Sequence, residues 1–108
     1  MSLYQVQKFL FEVNRDRELQ TRFRENRGEV LERYQLDAEE RRAIETGDVG
    51  LIYVLGANGQ LLMHFAALLG MPWAGYIAAM RAGVAAHGPV RAGVYAMTTG
   101  LGEKVADV

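Results

Sequence analysis

The charged side chains of this sequence are concentrated in its first 48 residues, and this uneven distribution constrains the fold more than any other feature. Residues 1–48 hold nearly all of the Lys, Arg, Asp and Glu residues, whereas residues 49–102 hold no charged residue other than Arg81 and Arg91. A stretch of this length with so few charged side chains is poorly suited to face water on every side. We therefore expect part of it to be covered, either by the rest of the fold or by a partner.

Composition argues against several classes of function. The chain has 108 residues, which suits a single domain with a modest core, and a formal net charge of -1, which gives no field to attract nucleic acid or an anionic membrane. Gly59, Gly70 and Pro72 interrupt the apolar half well before the ~20 residues of a membrane-spanning helix. There is no cysteine, and residues 1–10 lack the long apolar core of a secretion signal. We predict a cytoplasmic protein that binds neither nucleic acid nor membrane.

The charged half of the sequence predicts short helices. Apolar residues spaced three and four apart predict a first helix with one buried stripe, which comprises Leu3, Val6, Phe9, Leu10 and Val13. Either Asn14 or Asp16 can cap a second helix, because the short side chain of each accepts hydrogen bonds from the free amides of a first turn. We expect Gly28 to separate this helix from a short third helix over residues 30–34.

Two further helices are predicted from their end signals. Residues 37–40, Asp-Ala-Glu-Glu, have the form of a capping box, in which a carboxylate three residues after an acidic cap reaches back to the cap amide. Gly47 suits the left-handed conformation that often closes a helix. Asp48 can then cap a short helix over residues 49–55.

The uncharged half continues the helical pattern. Residues 56–59, Gly-Ala-Asn-Gly, predict a turn, and residues 60–69 predict a helix that Gly70 ends. Pro72 suits the first turn of a last helix. The apolar stripe of that helix comprises Trp73, Tyr76, Ile77 and Met80.

These elements predict an all-α protein, a small orthogonal multi-helix domain of about five to six short helices with an irregular C-terminal tail. Residues 1–108 form a single domain, in which residues 1–85 are the helical core and residues 86–108 the tail. We expect the tail to pack on the core or on a partner, because its apolar content is high for a solvated linker. Its apolar residues include Val90, Val94, Tyr95, Met97 and Leu101.

The residues that carry enzyme chemistry are scarce. His64 and His87 are the two histidines, and no carboxylate lies between Asp48 and Glu103, so the sequence offers no convincing ligand set for a non-haem iron site. Ser2 is the single serine, the threonines have no obvious base beside them and there is no cysteine, so we do not expect covalent catalysis. We predict no catalytic residue and no metal ligand in this chain. From the residues alone, the conclusion is an all-helical domain with a docking surface.

Three stretches of the sequence resemble the small subunit of the protocatechuate 4,5-dioxygenase family, the class III extradiol enzymes that cleave aromatic rings beside a hydroxyl. Residues 19–36 contain a helix, an Asn-Arg-Gly break and a second helix that ends in Tyr-Gln-Leu. Residues 36–48 are similar to the family's Leu-Thr-x-Glu-Glu run into Gly-Asp. The most specific stretch is Gly56-Ala-Asn-Gly-Gln-Leu-Leu62, followed by Gly70-Met71 and Tyr76. The resemblance covers about residues 3 to 83.

The resemblance implies a helical, non-catalytic subunit. In that family the non-haem Fe(II), its ligands and the catalytic base belong to a large subunit, and the small subunit covers the active-site mouth and helps to enclose the substrate. The segment between Leu62 and Met71 is shorter than in the protocatechuate enzyme, so gallate-like compounds, aminated biphenyl diols and other catechols stay open as substrates. We expect the isolated chain to be capable of pairing with itself. The predicted substrate-pocket or partner contacts are Asn58, Leu61, Leu62, His64, Phe65, Met71, Trp73 and Tyr76.

Two alternatives come from other classes of protein. Residues 19–56 also resemble the helical leader of a ribosomal peptide precursor that is bound by a backbone N-methyltransferase, and the tail would then be the modified core peptide. Residues 56–76 discriminate between the two, because a short leader does not need them and a dioxygenase subunit does. The second alternative is a stand-alone helical domain that binds an aromatic ligand as a stable monomer.

Overall fold

The structure, a computed structural model, describes residues 2–91 with the exception of the side chain of Ser2. These residues are all-α, which confirms the predicted fold class. Seven helices are present in the described range, rather than about five to six. None of these helices is long and apolar enough to cross a membrane. Most of the expected tail, residues 92–108, lies outside the described residues. The helices are α1 (Ser2–Arg15), α2 (Arg17–Glu25), α3 (Arg27–Leu31), α4 (Ala38–Thr46), α5 (Val49–Val54), α6 (Gly59–Leu68) and α7 (Trp73–His87).

The boundaries of α2 and α3 depend on two short polar side chains. Asp16, one of the two predicted caps, accepts hydrogen bonds from the backbone amides of Glu18 and Leu19 and so begins α2. Asn26 ends α2 and begins α3, because its side chain accepts from the amide of Glu29. The predicted break at Gly28 is therefore wrong: Gly28 lies inside α3, and the side chain of Asn26 makes the break two residues earlier.

The end signals of α4 and α5 are confirmed. The carboxylate of Asp37 accepts from the amide of Glu40 at 2.8 Å, and the carboxylate of Glu40 accepts from the amide of Asp37 at 2.9 Å, which completes a capping box. Gly47 ends α4 in the left-handed region at a φ of 71°. Asp48 then caps α5 by accepting from the amide of Leu51.

Aromatic side chains form the centre of the core. The ring of Phe9 on α1 lies 5.3 Å from that of Phe23 on α2, 5.4 Å from that of Tyr34 and 5.8 Å from that of Phe65 on α6. The Phe9 contacts with Tyr34 and Phe65 are edge-to-face, the arrangement that aligns the positive edge of one ring with the negative face of the other. This cluster joins α1, α2 and α6 into one body.

Helix α7 packs on α5 by direct contact of the two backbones. A Cβ atom placed on Gly83 would lie 2.5 Å from backbone atoms of Gly50, and one placed on Gly50 would lie 2.3 Å from the carbonyl oxygen of Ala79. No side chain fits between the helices at this point. Pro72 precedes α7 as its N-cap rather than lying in its first turn, and the helix continues to His87. Two glycines therefore fix the position of the last helix.

The α5–α7 contact predicts that Gly83→Ala destabilises the protein. The added methyl group overlaps the backbone of α5, and overpacking of this kind costs about 1–3 kcal/mol of unfolding free energy. Gly75→Ala in the same helix is the matched control, because its Cβ would lie 3.4 Å from the Cγ atom of Met71, an ordinary contact. There we expect a gain of about 0.5–1 kcal/mol from helix propensity. Urea unfolding measures the stability of both variants. Equal losses of unfolding free energy in the two variants would contradict a close backbone contact between α5 and α7 at Gly83.

Candidate interaction site on α7

Helix α7 exposes an apolar surface that is unusual for a helix at the outside of a domain. It has 15 residues, of which Arg81 is the one that is charged at neutral pH. One side of the helix packs on the domain through the buried Tyr76 and Gly83 and the partly buried Ile77, Ala79 and Met80. We call its exposed residues the α7 surface: Trp73, Ala74, Ala78, Arg81, Ala82, Val84, Ala85, Ala86 and His87. An exposed helix normally carries a charged face, so this one is suited to be covered.

Trp73 is the most prominent side chain of the α7 surface. It is 63% exposed, although indole rings are among the side chains that gain most from burial. The centre of its ring lies 5.6 Å from that of the buried Tyr76, so the two rings are in contact. Trp73, which the sequence predicts as a contact residue, is therefore accessible to a partner.

Tyr76 connects the two helices that form the edge of this site. It is buried, and its hydroxyl donates a hydrogen bond of 3.2 Å to the carbonyl oxygen of Gly59 at the start of α6. Burial, with a smaller contribution from the neighbouring Tyr53, raises the pKa of Tyr76. The phenol of Tyr76 thus stays protonated, and its buried ring packs against the exposed ring of Trp73.

Asn58 holds the turn before α6. Its side-chain oxygen accepts hydrogen bonds from the backbone amides of Gln60 and Leu61. Its backbone amide donates a hydrogen bond of 2.7 Å to the side-chain oxygen of Gln7 on α1. These bonds explain why an Asn occupies the turn. They also use the side-chain oxygen, so that in this chain Asn58 positions α6 on α1.

The remaining predicted site residues divide by burial. Leu62 and Phe65 are fully buried in the core, so the structure does not bring them to the surface, and their apolar character reflects packing. His64 is exposed on α6, while Leu61 and Met71 are partly buried. Of the eight predicted residues, the two that are exposed are therefore Trp73 and His64.

A cleft between α5 and α7 was missed by the sequence analysis. It has a volume of about 460 Å³ and opens beside the α7 surface. The sequence signal that could have indicated this cleft was Arg81, an isolated charge within a long apolar stretch. Helical periodicity alone did not show that Arg81 lies next to α5. The cleft is lined by Tyr53, Ile77, Met80, Arg81 and Val84.

Iron does not fit the side chains of the described part of the chain. Within residues 2–91 no three side chains of His, Asp or Glu gather in an arrangement able to hold a metal ion. His64 lies on α6 and His87 is the last residue of α7.

Comparison with protein families decides the identity of the chain. A model of the family described as the LigA subunit of the aromatic-ring-opening dioxygenase LigAB matches residues 6–87. The chain belongs to the LigA family. The matched region runs from α1 to the last residue of α7 and includes residues 56–76, which favours the LigA assignment over a peptide-precursor leader. Searches of curated proteins and of solved structures found no match.

Membership of the LigA family has a direct consequence for the biology of the chain. LigA is one subunit of a two-subunit aromatic-ring-opening dioxygenase, so this LigA-family chain is the small subunit of such an enzyme and has a larger catalytic partner. This agrees with an exposed apolar surface on a chain whose described residues lack a metal site.

The buried phenol predicts a specific effect of pH in the isolated LigA-family chain. The folded state keeps the proton of Tyr76 above its ordinary pKa of 10.0, whereas the unfolded state loses it there, so stability falls as the pH rises above this value. Tyr76→Phe removes this contribution, and the loss of unfolding free energy between pH 8 and 11 should shrink. At pH 7 the variant should lose about 1 kcal/mol with the hydrogen bond to Gly59. Urea titrations at each pH test this, and an unchanged alkaline slope would contradict it.

Proposed function

We propose that the chain covers the active site of a larger, iron-containing extradiol dioxygenase subunit and helps to shape its substrate pocket. The observation that carries the proposal is the α7 surface, an exposed helix face in which Arg81 is the single residue of the types Lys, Arg, Asp and Glu. Burial of such a face against a partner is favourable in proportion to the apolar area removed from water. Family membership supplies a partner of the right kind.

Trp73 is proposed as the main anchor of this interface. Binding energy in protein interfaces is concentrated in a few residues, among which tryptophan is enriched, and these are surrounded by near-neutral contacts that exclude water. The alanines of the α7 surface are suited to form the surrounding contacts that exclude water, because they allow a partner to approach the helix backbone closely. Arg81, at the cleft beside α5, offers a charged group for a carboxylate or carbonyl of the partner.

The iron is proposed to belong to the partner. A non-haem Fe(II) supplies the activation of dioxygen in an extradiol enzyme, and the contribution proposed for this chain is to exclude water and to enclose a catechol-type substrate. The predicted contact residues that are exposed or partly exposed are Asn58, Leu61, His64, Met71 and Trp73. The cytoplasmic location stays a prediction.

Co-expression with a large extradiol subunit encoded beside this chain tests the proposal. The complex is purified by a tag on this chain and assayed against a panel of catechols for the coloured ring-opened product. We expect co-purification, and activity that collapses when this chain is omitted. Failure to form a complex, with full activity of the large subunit alone, would contradict the proposal and direct attention to ligand binding by the isolated domain.

Truncation of the anchor residue gives a sharper prediction. Trp73→Ala should weaken binding to the large subunit at least about tenfold and raise the apparent KM for the catechol, because a central aromatic contact and part of the cover are lost. Tyr4→Ala is the matched control, since Tyr4 on α1 is exposed to the same extent, 62% against 63%. Surface plasmon resonance measures both variants. Equal losses of affinity would show that exposure, rather than the α7 surface, explains binding.

A further inference from the structure

Arg81 is an isolated cation on the outer side of α7. The positions three and four residues away on the helix, where an ion-pair partner would lie, are occupied by the apolar Ile77, Ala78, Val84 and Ala85. In the part of the chain that the structure describes, Arg81 makes no ion pair, and no acidic side chain lines the cleft between α5 and α7. Its guanidinium group therefore has no anionic partner within residues 2–91.

Arg81 shares one face of α7 with the large side chains of that helix. At 3.6 residues per turn, Trp73, Ile77, Met80, Arg81 and Val84 fall within an arc of about 100°. Arg81 lies about 12 Å along the helix axis from Trp73. A protein interface of ordinary size covers about 800 Å² on each partner, a patch much wider than this distance. A partner that covers Trp73 and Val84 therefore also covers Arg81.

Removal of this guanidinium group from water sets a condition on the partner. A charged group that is buried without a counter-charge is strongly unfavourable, because it loses its hydration and gains no attraction in return. A backbone carbonyl accepts a hydrogen bond but leaves the charge uncompensated. A carboxylate compensates the charge and can accept two parallel hydrogen bonds from the planar guanidinium group. An Asp or Glu of the partner is therefore the group that best fits opposite Arg81.

The cleft beside Arg81 adds an apolar part to the same recognition site. It has a volume of about 460 Å³, and its other walls are formed by Tyr53 on α5 and by Ile77, Met80 and Val84 on α7. This space can admit one large apolar side chain. Side chains that fill such pockets near the centre of an interface are typical of those that contribute most to binding.

We propose that Arg81 and this cleft select the large subunit, which places an Asp or Glu against Arg81 and an apolar side chain in the cleft. The inference rests on the proposed function and adds the chemistry by which the partner is recognised. A surface without the carboxylate would leave Arg81 buried and unpaired, so the single cation of α7 disfavours wrong partners more than it strengthens binding to the right one.

Charge changes at position 81 test the pairing in the complex with the large subunit. Arg81→Met should weaken binding at least about thirtyfold and Arg81→Glu at least about a hundredfold, mainly through faster dissociation, because the partner carboxylate loses its counter-charge. Arg24→Glu is the matched control, since Arg24 on α2 is also exposed and has no ion pair within the described residues. Surface plasmon resonance should show that this control binds within about twofold of the unaltered chain.

The outcomes separate this inference from the proposed function. A complex whose affinity is unchanged in Arg81→Met would overturn the pairing and leave the proposed function standing. Unchanged affinity with a raised KM for carboxylate-bearing catechols would also overturn it, since Arg81 would then contact the substrate. If the unaltered chain forms no complex, the proposed function and this inference both fail.

Zero-length crosslinking identifies the carboxylate directly. Arg81→Lys keeps the charge and supplies a primary amine, which a carbodiimide joins to a contacting carboxylate through an amide bond. We expect mass spectrometry to show a link from position 81 to an Asp or Glu of the large subunit, and no such link in the Arg24→Lys control. A link to a carboxylate of the same chain, such as Glu103, would overturn the proposal, as would the lack of any link at position 81 in an intact complex.

Discussion

The backbone contact between α5 and α7 is the constraint on which the functional surface depends. Gly50 and Gly83 bring the two helices so close that neither position has room for a Cβ atom. This contact holds one side of α7 against the domain, where the partly buried Ile77, Ala79 and Met80 also pack, and leaves the α7 surface exposed. A bulkier residue at either glycine would overlap the backbone of the other helix and would have to push the two helices apart.

The two halves of the chain differ in the kind of surface that they expose. The charged half forms capped helices whose Phe9 and Phe23 pack against Phe65 of α6, and its carboxylates and guanidinium groups are at least partly exposed, with the exception of the buried Glu40. The uncharged half adds α5, α6 and α7, and the hydrogen bond from Tyr76 to Gly59 joins the last two. Both halves contribute buried residues to the core, and the uncharged half also carries the exposed α7 surface. This division explains how a LigA-family chain contributes to ring opening when its described residues hold no metal site.

Features that depend on residues close together along the chain could be predicted from the sequence, whereas features that depend on distant residues could not. Capping at Asp37 and the left-handed turn at Gly47 were predicted, because both depend on residues within three or four positions along the chain. Leu62 and Phe65 were expected at a contact site but lie in the core, since an apolar residue gives the same signal for a core and for an interface. The role of Gly83 was missed, because close packing depends on a partner helix more than thirty residues away. The exposure of Trp73 became evident in the fold alone, and its role as a contact residue stays a prediction.

The most direct test of the central claim is hydrogen–deuterium exchange of this chain, alone and saturated with its large subunit. The account predicts that peptides covering residues 69–87, which include Trp73 and the α7 surface, gain protection on binding. Peptides from α1 and α2 should change little. Protection confined to α1–α4, with α7 exchanging as freely as in the isolated chain, would contradict the assignment of α7 as the surface that the catalytic subunit covers.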